Sequence, residues 1–111
     1  MEKADAASAV AVLQTLAGHV AAAESSIADA VRQGNGHSHF HHAAYNIATA
    51  YALMKRPAEA LRFLEKVAKE GMPCYPLFES DPWLDGLRKN PEFTAFMKRV
   101  KAQWETLRST T

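Results

Sequence analysis

The sequence predicts an all-α fold, and three observations carry the prediction. Alanine, the strongest helix former, recurs along the chain. No stretch alternates apolar and polar residues over a strand's length with β-branched enrichment. The breakers Gly18, Gly34, Gly36, Pro57, Gly71, Pro73, Pro76, Pro82, Gly86 and Pro91 are spaced so that segments of helical length lie between them.

The first helix is expected over about 4–17, with Val10, Leu13 and Ala17 on one face at i, i+3, i+7. The second covers about 20–33, where Val20, Ala23, Ile27, Ala30 and Val31 share a face. Gly34 stands at its C-terminal cap, a position that favours a residue tolerant of the left-handed conformation. The third spans about 39–54 with a stripe of Phe40, Ala44, Ile47, Ala48 and Tyr51. The fourth opens at Pro57, which suits a first turn whose N–H has no helical partner. It carries Ala60, Leu61, Leu64, Val67 and Ala68 and stops at Gly71. From Cys74 to Leu87 the chain is interrupted by Pro76, Pro82 and Gly86. Asp81-Pro82 and Asn90-Pro91 each read as an N-cap followed by proline at the first helical position. A short helical turn after Asp81 and a long helix after Asn90 are therefore expected. The long helix bears Phe93, Phe96, Met97, Val100, Trp104 and Leu107 on one face and Lys98, Lys101 and Glu105 on the other, the pattern of a lid.

The chain also repeats itself. At an offset of 37, Val10 falls on Ile47, Ala11 on Ala48, Gly18 on Lys55, Ala23 on Ala60, Ile27 on Leu64, Ala30 on Val67 and Gly34 on Gly71. Small residues recur where helices must approach closely and aliphatics where they pack. The first unit is degenerate, with Gln14 opposite Tyr51. In the second unit Ile47, Ala48, Tyr51, Ala60, Leu64 and Val67, followed by Pro73, resemble the tetratricopeptide (TPR) repeat. Ala44, Lys55 and Val67 depart from its tryptophan, turn glycine and second alanine. A closer resemblance covers about 39–108. The run from His39 through Phe40, His41, His42, Ala43, Ala44, Tyr45, Asn46, Ile47 and Ala48, then Gly71 to Phe78, then Asp81 to Phe93, is similar to C-terminal TPR segments of bacterial multidomain signalling proteins, such as those following a Ser/Thr kinase. The resemblance implies a single TPR-like domain over 1–111. It divides into a degenerate first helix pair at 4–34, a TPR-like repeat at 39–72 and a capping segment at 73–108, wound as a short right-handed superhelix. It also implies a module that binds a protein or peptide along the concave face of its first helices. On the third helix that face comprises His42, Tyr45, Asn46 and Thr49; on the first it comprises Asp5, Ser8, Ala9 and Val12. No lysine stands there, so the two-carboxylate clamp of some TPR domains is not formed. With only two units the groove is short, which predicts weak intrinsic affinity or self-association.

Composition narrows the function further. With 111 residues the chain is one domain's worth. A net charge of +1 argues against a dedicated nucleic-acid binder, and a single cysteine cannot form an internal disulfide. No apolar run approaches the ~20 residues of a membrane span, and the acidic start at Glu2 and Asp5 does not read as an export signal. A cytoplasmic protein is the expectation. No Gly-rich phosphate loop, His-Arg-Asp or Asp-Phe-Gly is present, so kinase activity is not implied.

The side chains able to carry chemistry are few. His37, His39 and His41 could ligate a metal if extended, so a histidine-cluster metal-binding module is the alternative function. No carboxylate or cysteine stands nearby at ligand spacing, and the simpler reading is the loop and first turn of the third helix. Cys74 with a histidine is formally a nucleophile pair, but the simpler reading is a small buried thiol in the loop around Pro73 and Pro76. Among Glu79, Asp81 and Asp85, Asp81 reads as a helix cap and Asp85 as a partner of Arg88 or Lys89. Residues 88–108 carry six basic side chains against two acidic ones, explained by a solvated helix face. The expectation is a non-enzymatic adaptor without cofactor, resident metal, membrane or nucleic-acid partner.

Overall fold

The computed structural model describes residues 3–34, 40–70 and 75–109. Among them lie six α-helices: α1 (Lys3–Leu16), α2 (Val20–Gly34), α3 (Phe40–Leu53), α4 (Pro57–Glu70), α5 (Tyr75–Ser80) and α6 (Pro91–Ser109). A 3-10 turn (Pro82–Leu87) joins the last two. No strand is present among the described residues. The pairs α1–α2 and α3–α4 are antiparallel, α1 also packs on α3, and α6 lies against α4 and α5. The molecule measures 42 × 31 × 18 Å, so its thin dimension is about two helices deep.

The offset of 37 read in the sequence is built into the backbone. In the first hairpin the N–H of His19 donates to the carbonyl of Gln14, that of Gly18 to Thr15 and that of Ala17 to Leu13. In the second, Arg56 donates to Tyr51, Lys55 to Ala52 and Met54 to Ala50. Each donor and acceptor is displaced by 37, and each turn ends its helix with a backward bond across the left-handed residue. That residue is Gly18 at φ 85° in one turn and Lys55 at φ 62° in the other. Lys55 thus holds a conformation that glycine adopts without steric cost.

Small residues set the spacing of the pairs. Ala11, Ala23, Ala30, Ala43, Ala44, Ala48 and Ala60 are fully buried, and Ile27, Ile47 and Leu64 fill the space between them. Phe78, Leu84, Leu87, Phe93, Phe96 and Val100 complete the core from the C-terminal segment. The two N-caps form as expected. Asp81 accepts from the N–H of Trp83 at 2.9 Å, and Asn90 accepts from Glu92 at 2.8 Å and Phe93 at 3.1 Å.

Three expectations are corrected. Val10 and Leu13 do not form the buried face of α1; they are 44% and 65% exposed, and Ala4, Ser8, Ala11 and Val12 are buried instead. The equivalent Ile47 is fully buried in α3, which packs against α1, α4 and the 3-10 turn, whereas the main contacts of α1 are with α2 and α3. Gly34 is not a left-handed cap. It is the last helical residue of α2, and an added Cβ would overlap Cδ1 and Cε1 of Phe40 and lie 3.0 Å from the Ala4 Cβ. Glycine stands there for space. Finally, Tyr75–Ser80 is helical across Pro76 rather than interrupted by it, because proline is tolerated in a first turn. The lid behaves as expected in its first half: Phe93, Phe96 and Val100 are buried, Trp104 is half-buried, and Leu107 is 46% exposed.

Candidate functional site

The N-terminal half of α3 meets α5 across a depression of about 370 Å³. His41, His42, Tyr45 and Asn46 line it from α3, Val67 from α4, and Leu77 and Phe78 from α5. Val67 and the fully buried Phe78 are its floor, whereas His42 and Leu77 stand exposed at its rim. The Tyr45 ring stacks on Phe78 at 5.8 Å, Phe78 meets Phe96 at 5.9 Å, and Phe96 meets Phe93 at 6.3 Å. This ladder of rings fixes α3, α5 and α6 together, a rigid support for whatever the depression holds.

Polar bonds frame it. The Tyr45 hydroxyl donates to the Asp81 carboxylate, whose other oxygen caps the 3-10 turn. Arg88 donates to the backbone carbonyls of Asp81 (2.8 Å) and Phe78 (3.2 Å) and to the Asp85 carboxylate (2.8 Å), clamping the end of α5 to the turn. On the other side Asn46 donates its amide to the Ser8 hydroxyl at 3.1 Å, and Ser8 donates to the carbonyl of Asp5 at 2.9 Å. Ser8 is fully buried, so this bond ties α3 to α1.

Three of the four residues expected to meet a partner therefore share one depression: His42, Tyr45 and Asn46. Thr49 does not reach it. It is 2% exposed, and its hydroxyl donates to the carbonyl of Tyr45 at 3.0 Å. The reason is the 3-10 turn, which packs on the second half of α3, close enough that a Cβ on Gly86 would sit 3.5 Å from the carbonyl oxygen of Ala52. Sequence reasoning did not find Val67, Leu77 and Phe78 as lining residues. Leu77 carries the available signal, an apolar residue 46% exposed on a helix whose neighbour Phe78 is buried.

Of the histidines considered for a metal, His37 and His39 lie outside the described residues, as does Cys74. The rings of His41 and His42 are adjacent, their centroids 4.3 Å apart. Among the described residues no three His, Cys, Asp or Glu side chains converge to hold a metal ion. The basic residues of the C-terminal segment are partly engaged, Arg88 by Asp85 and Arg99 by Glu65 at 3.2 Å. No described helix is long and apolar enough to cross a membrane.

Two phenols and a guanidinium are perturbed elsewhere. Burial, and secondarily the Glu59 carboxylate, push the Tyr51 phenol above its ordinary value. A hydrogen bond to Glu79 does the same to Tyr75. Arg56, which lies over the Tyr51 ring, is held still more firmly charged by hydrogen bonds to Glu24 and Glu59. The Glu24 bond, 2.8 Å, joins α2 to the start of α4. The Arg56–Glu24 bond ties two helices together, whereas the Tyr75–Glu79 bond lies within α5.

Comparison with known proteins finds no family model that matches the chain, and no curated protein or solved structure that matches it significantly.

Proposed function

We propose that this chain is a non-enzymatic interaction module of the tetratricopeptide type that holds a protein or peptide partner in the cleft between α3 and α5. The observation that carries the reading is the cleft's construction. An apolar floor and a mixed rim of His42 and Leu77 stand on a frame of stacked rings and satisfied hydrogen bonds. Such a surface suits an apolar side chain flanked by peptide groups. The repetition of both interhelical turns at an offset of 37 supports a helical-repeat architecture, and the repeat resemblance of residues 39–72 supports its assignment to the tetratricopeptide type.

The test uses the rim, because Tyr45 and Asn46 hold the frame and their removal would confound binding with folding. A random-peptide display selection is run on the purified full chain. Binders are then measured against His42→Glu and Leu77→Asp, both exposed positions. Peptides that lose at least tenfold in affinity with either variant, while both variants retain wild-type melting, support the reading. A selection whose binders are indifferent to both variants overturns it.

A further inference from the structure

We infer that the outer face of α1 seats a second copy of this chain in a two-fold contact. Among the described residues, Val10, Leu13 and Leu16 are 44%, 65% and 52% exposed, and Val20 at the start of α2 is 42% exposed. These are four of the seven large exposed apolar side chains among the described residues, and Val10, Leu13 and Leu16 share the exposed side of α1, opposite its buried Ala4, Ser8, Ala11 and Val12. The α3–α5 cleft contains none of them.

The spacing on α1 is that of a helix-pairing seam. Ala6, Val10, Leu13 and Ala17 follow one another by four, three and four residues, with a β-branched residue ahead of a leucine. The seam reads small, large, large, small in both directions. An antiparallel pair about a two-fold axis therefore sets Val10 of each copy against Leu13 of the other and brings the alanines together at the ends. Such a self-complementary patch is what a two-fold interface requires.

Charge and size select the occupant. No Asp, Glu, Lys or Arg occurs from position 6 to position 23, in a chain 23% charged. A charged partner would find no complement there, whereas a second copy brings an equally neutral face and strips no ion of water. A contact made by one helix face per copy falls below the ~1,200 Å² of standard stable interfaces. A reversible monomer–dimer equilibrium follows rather than a permanent dimer.

Sedimentation equilibrium of the full chain from about 5 µM to 1 mM tests this, a range suited to weak, reversible association. The expected result is a concentration-dependent rise towards twice the 12.2 kDa monomer mass. Leu13→Glu should abolish the rise without loss of helicity. Leu107→Glu, at another exposed leucine, on the lid, should leave it unchanged. A wild type that stays monomeric throughout, or a dimer that survives Leu13→Glu, overturns the proposal. Should Leu13→Glu fail to fold, amide shifts of the wild type in a dilution series decide. Changes concentrated within 6–20 support the α1 contact, and changes concentrated elsewhere overturn it.

Discussion

Gly34→Ala is the substitution whose sign depends most directly on the packing described above. Within a helix, glycine to alanine ordinarily stabilises, by up to about 1 kcal/mol. Gly34 is the last residue of α2 and lacks the positive φ that would oppose the change. On backbone grounds alone the variant should be neutral or better. The new methyl, however, would occupy space held by the edge of the Phe40 ring, with the Ala4 Cβ at 3.0 Å on another side. Phe40 is only 4% exposed and begins α3, so its ring cannot move aside without disturbing the α2–α3 contact. Overpacking of this kind costs about 1–3 kcal/mol, and the helix-end gain offsets only part of it. The net expectation is a loss of about 1–2 kcal/mol, or a melting temperature lower by roughly 4–10 °C for a domain of this size. The assay is urea and thermal unfolding by circular dichroism of wild type, Gly34→Ala, Phe40→Leu and the double variant. A smaller side chain at position 40 should relieve the clash, so the double variant should be more stable than the sum of the single losses. A melting temperature for Gly34→Ala equal to or above wild type would refute the steric reasoning and return Gly34 to the role of an ordinary helix end.

The other expectations concern the turns, the frame of the cleft and the phenols. Lys55→Gly should stabilise by about 0.5–1 kcal/mol by removing a left-handed non-glycine residue, and Gly18→Lys should destabilise by a similar amount; chemical denaturation of both tests whether the two turns are equivalent. Asp81→Ala removes an N-cap and the acceptor of the Tyr45 hydroxyl and should cost about 1–3 kcal/mol. Tyr45→Phe should cost about 0.5–1.5 kcal/mol alone and nearly nothing in the Asp81→Ala background, a double-mutant cycle that isolates the bond. The raised Tyr51 phenol predicts alkaline sensitivity. The unfolded chain releases this proton near pH 10 while the folded chain retains it, so stability falls as pH rises beyond that value. Tyr51→Phe should make that decline shallower in unfolding experiments between pH 9 and 11.5, and an unchanged slope would exclude Tyr51 as its source.

The helices were legible because their stops are local chemistry. Pro57, Asp81-Pro82 and Asn90-Pro91 act within one turn of themselves, and their effect does not depend on the rest of the chain. The equivalence of Gly18 and Lys55 was legible for the same reason, through the offset of 37. The face of α1 was not. A periodic pattern reports the large apolar side chains, and on α1 those are Val10 and Leu13. Close approach to α2 and α3 instead requires the small side chains of Ala4, Ser8 and Ala11, so the larger residues are left outside. Gly34 was ambiguous in principle, since a glycine needed for φ and a glycine needed for space are the same letter. In the cleft, the α3 half could be inferred from the repeat resemblance. The α5 half could not, because the meeting of Leu77 and Phe78 with His42 and Tyr45 is a tertiary event.

The four residues expected to meet a partner divide between frame and rim. In an extended array, neighbouring units hold each first helix and leave its concave positions for a ligand. Here α3 has only α1 on one side and a 3-10 turn on the other, and its own polar residues supply the missing ties. Asn46 bonds to Ser8, Tyr45 to Asp81, and Thr49 turns inward. Residues spent in this way set the cleft's shape but have little freedom to discriminate among ligands. Under the proposed function, discrimination would fall to the exposed rim residues His42 and Leu77. Changes at the frame should lower stability and binding together, whereas changes at the rim should alter binding alone. Separation of these two effects identifies the cleft as a binding surface; their coincidence at every position would identify it as a packing defect between α3 and α5.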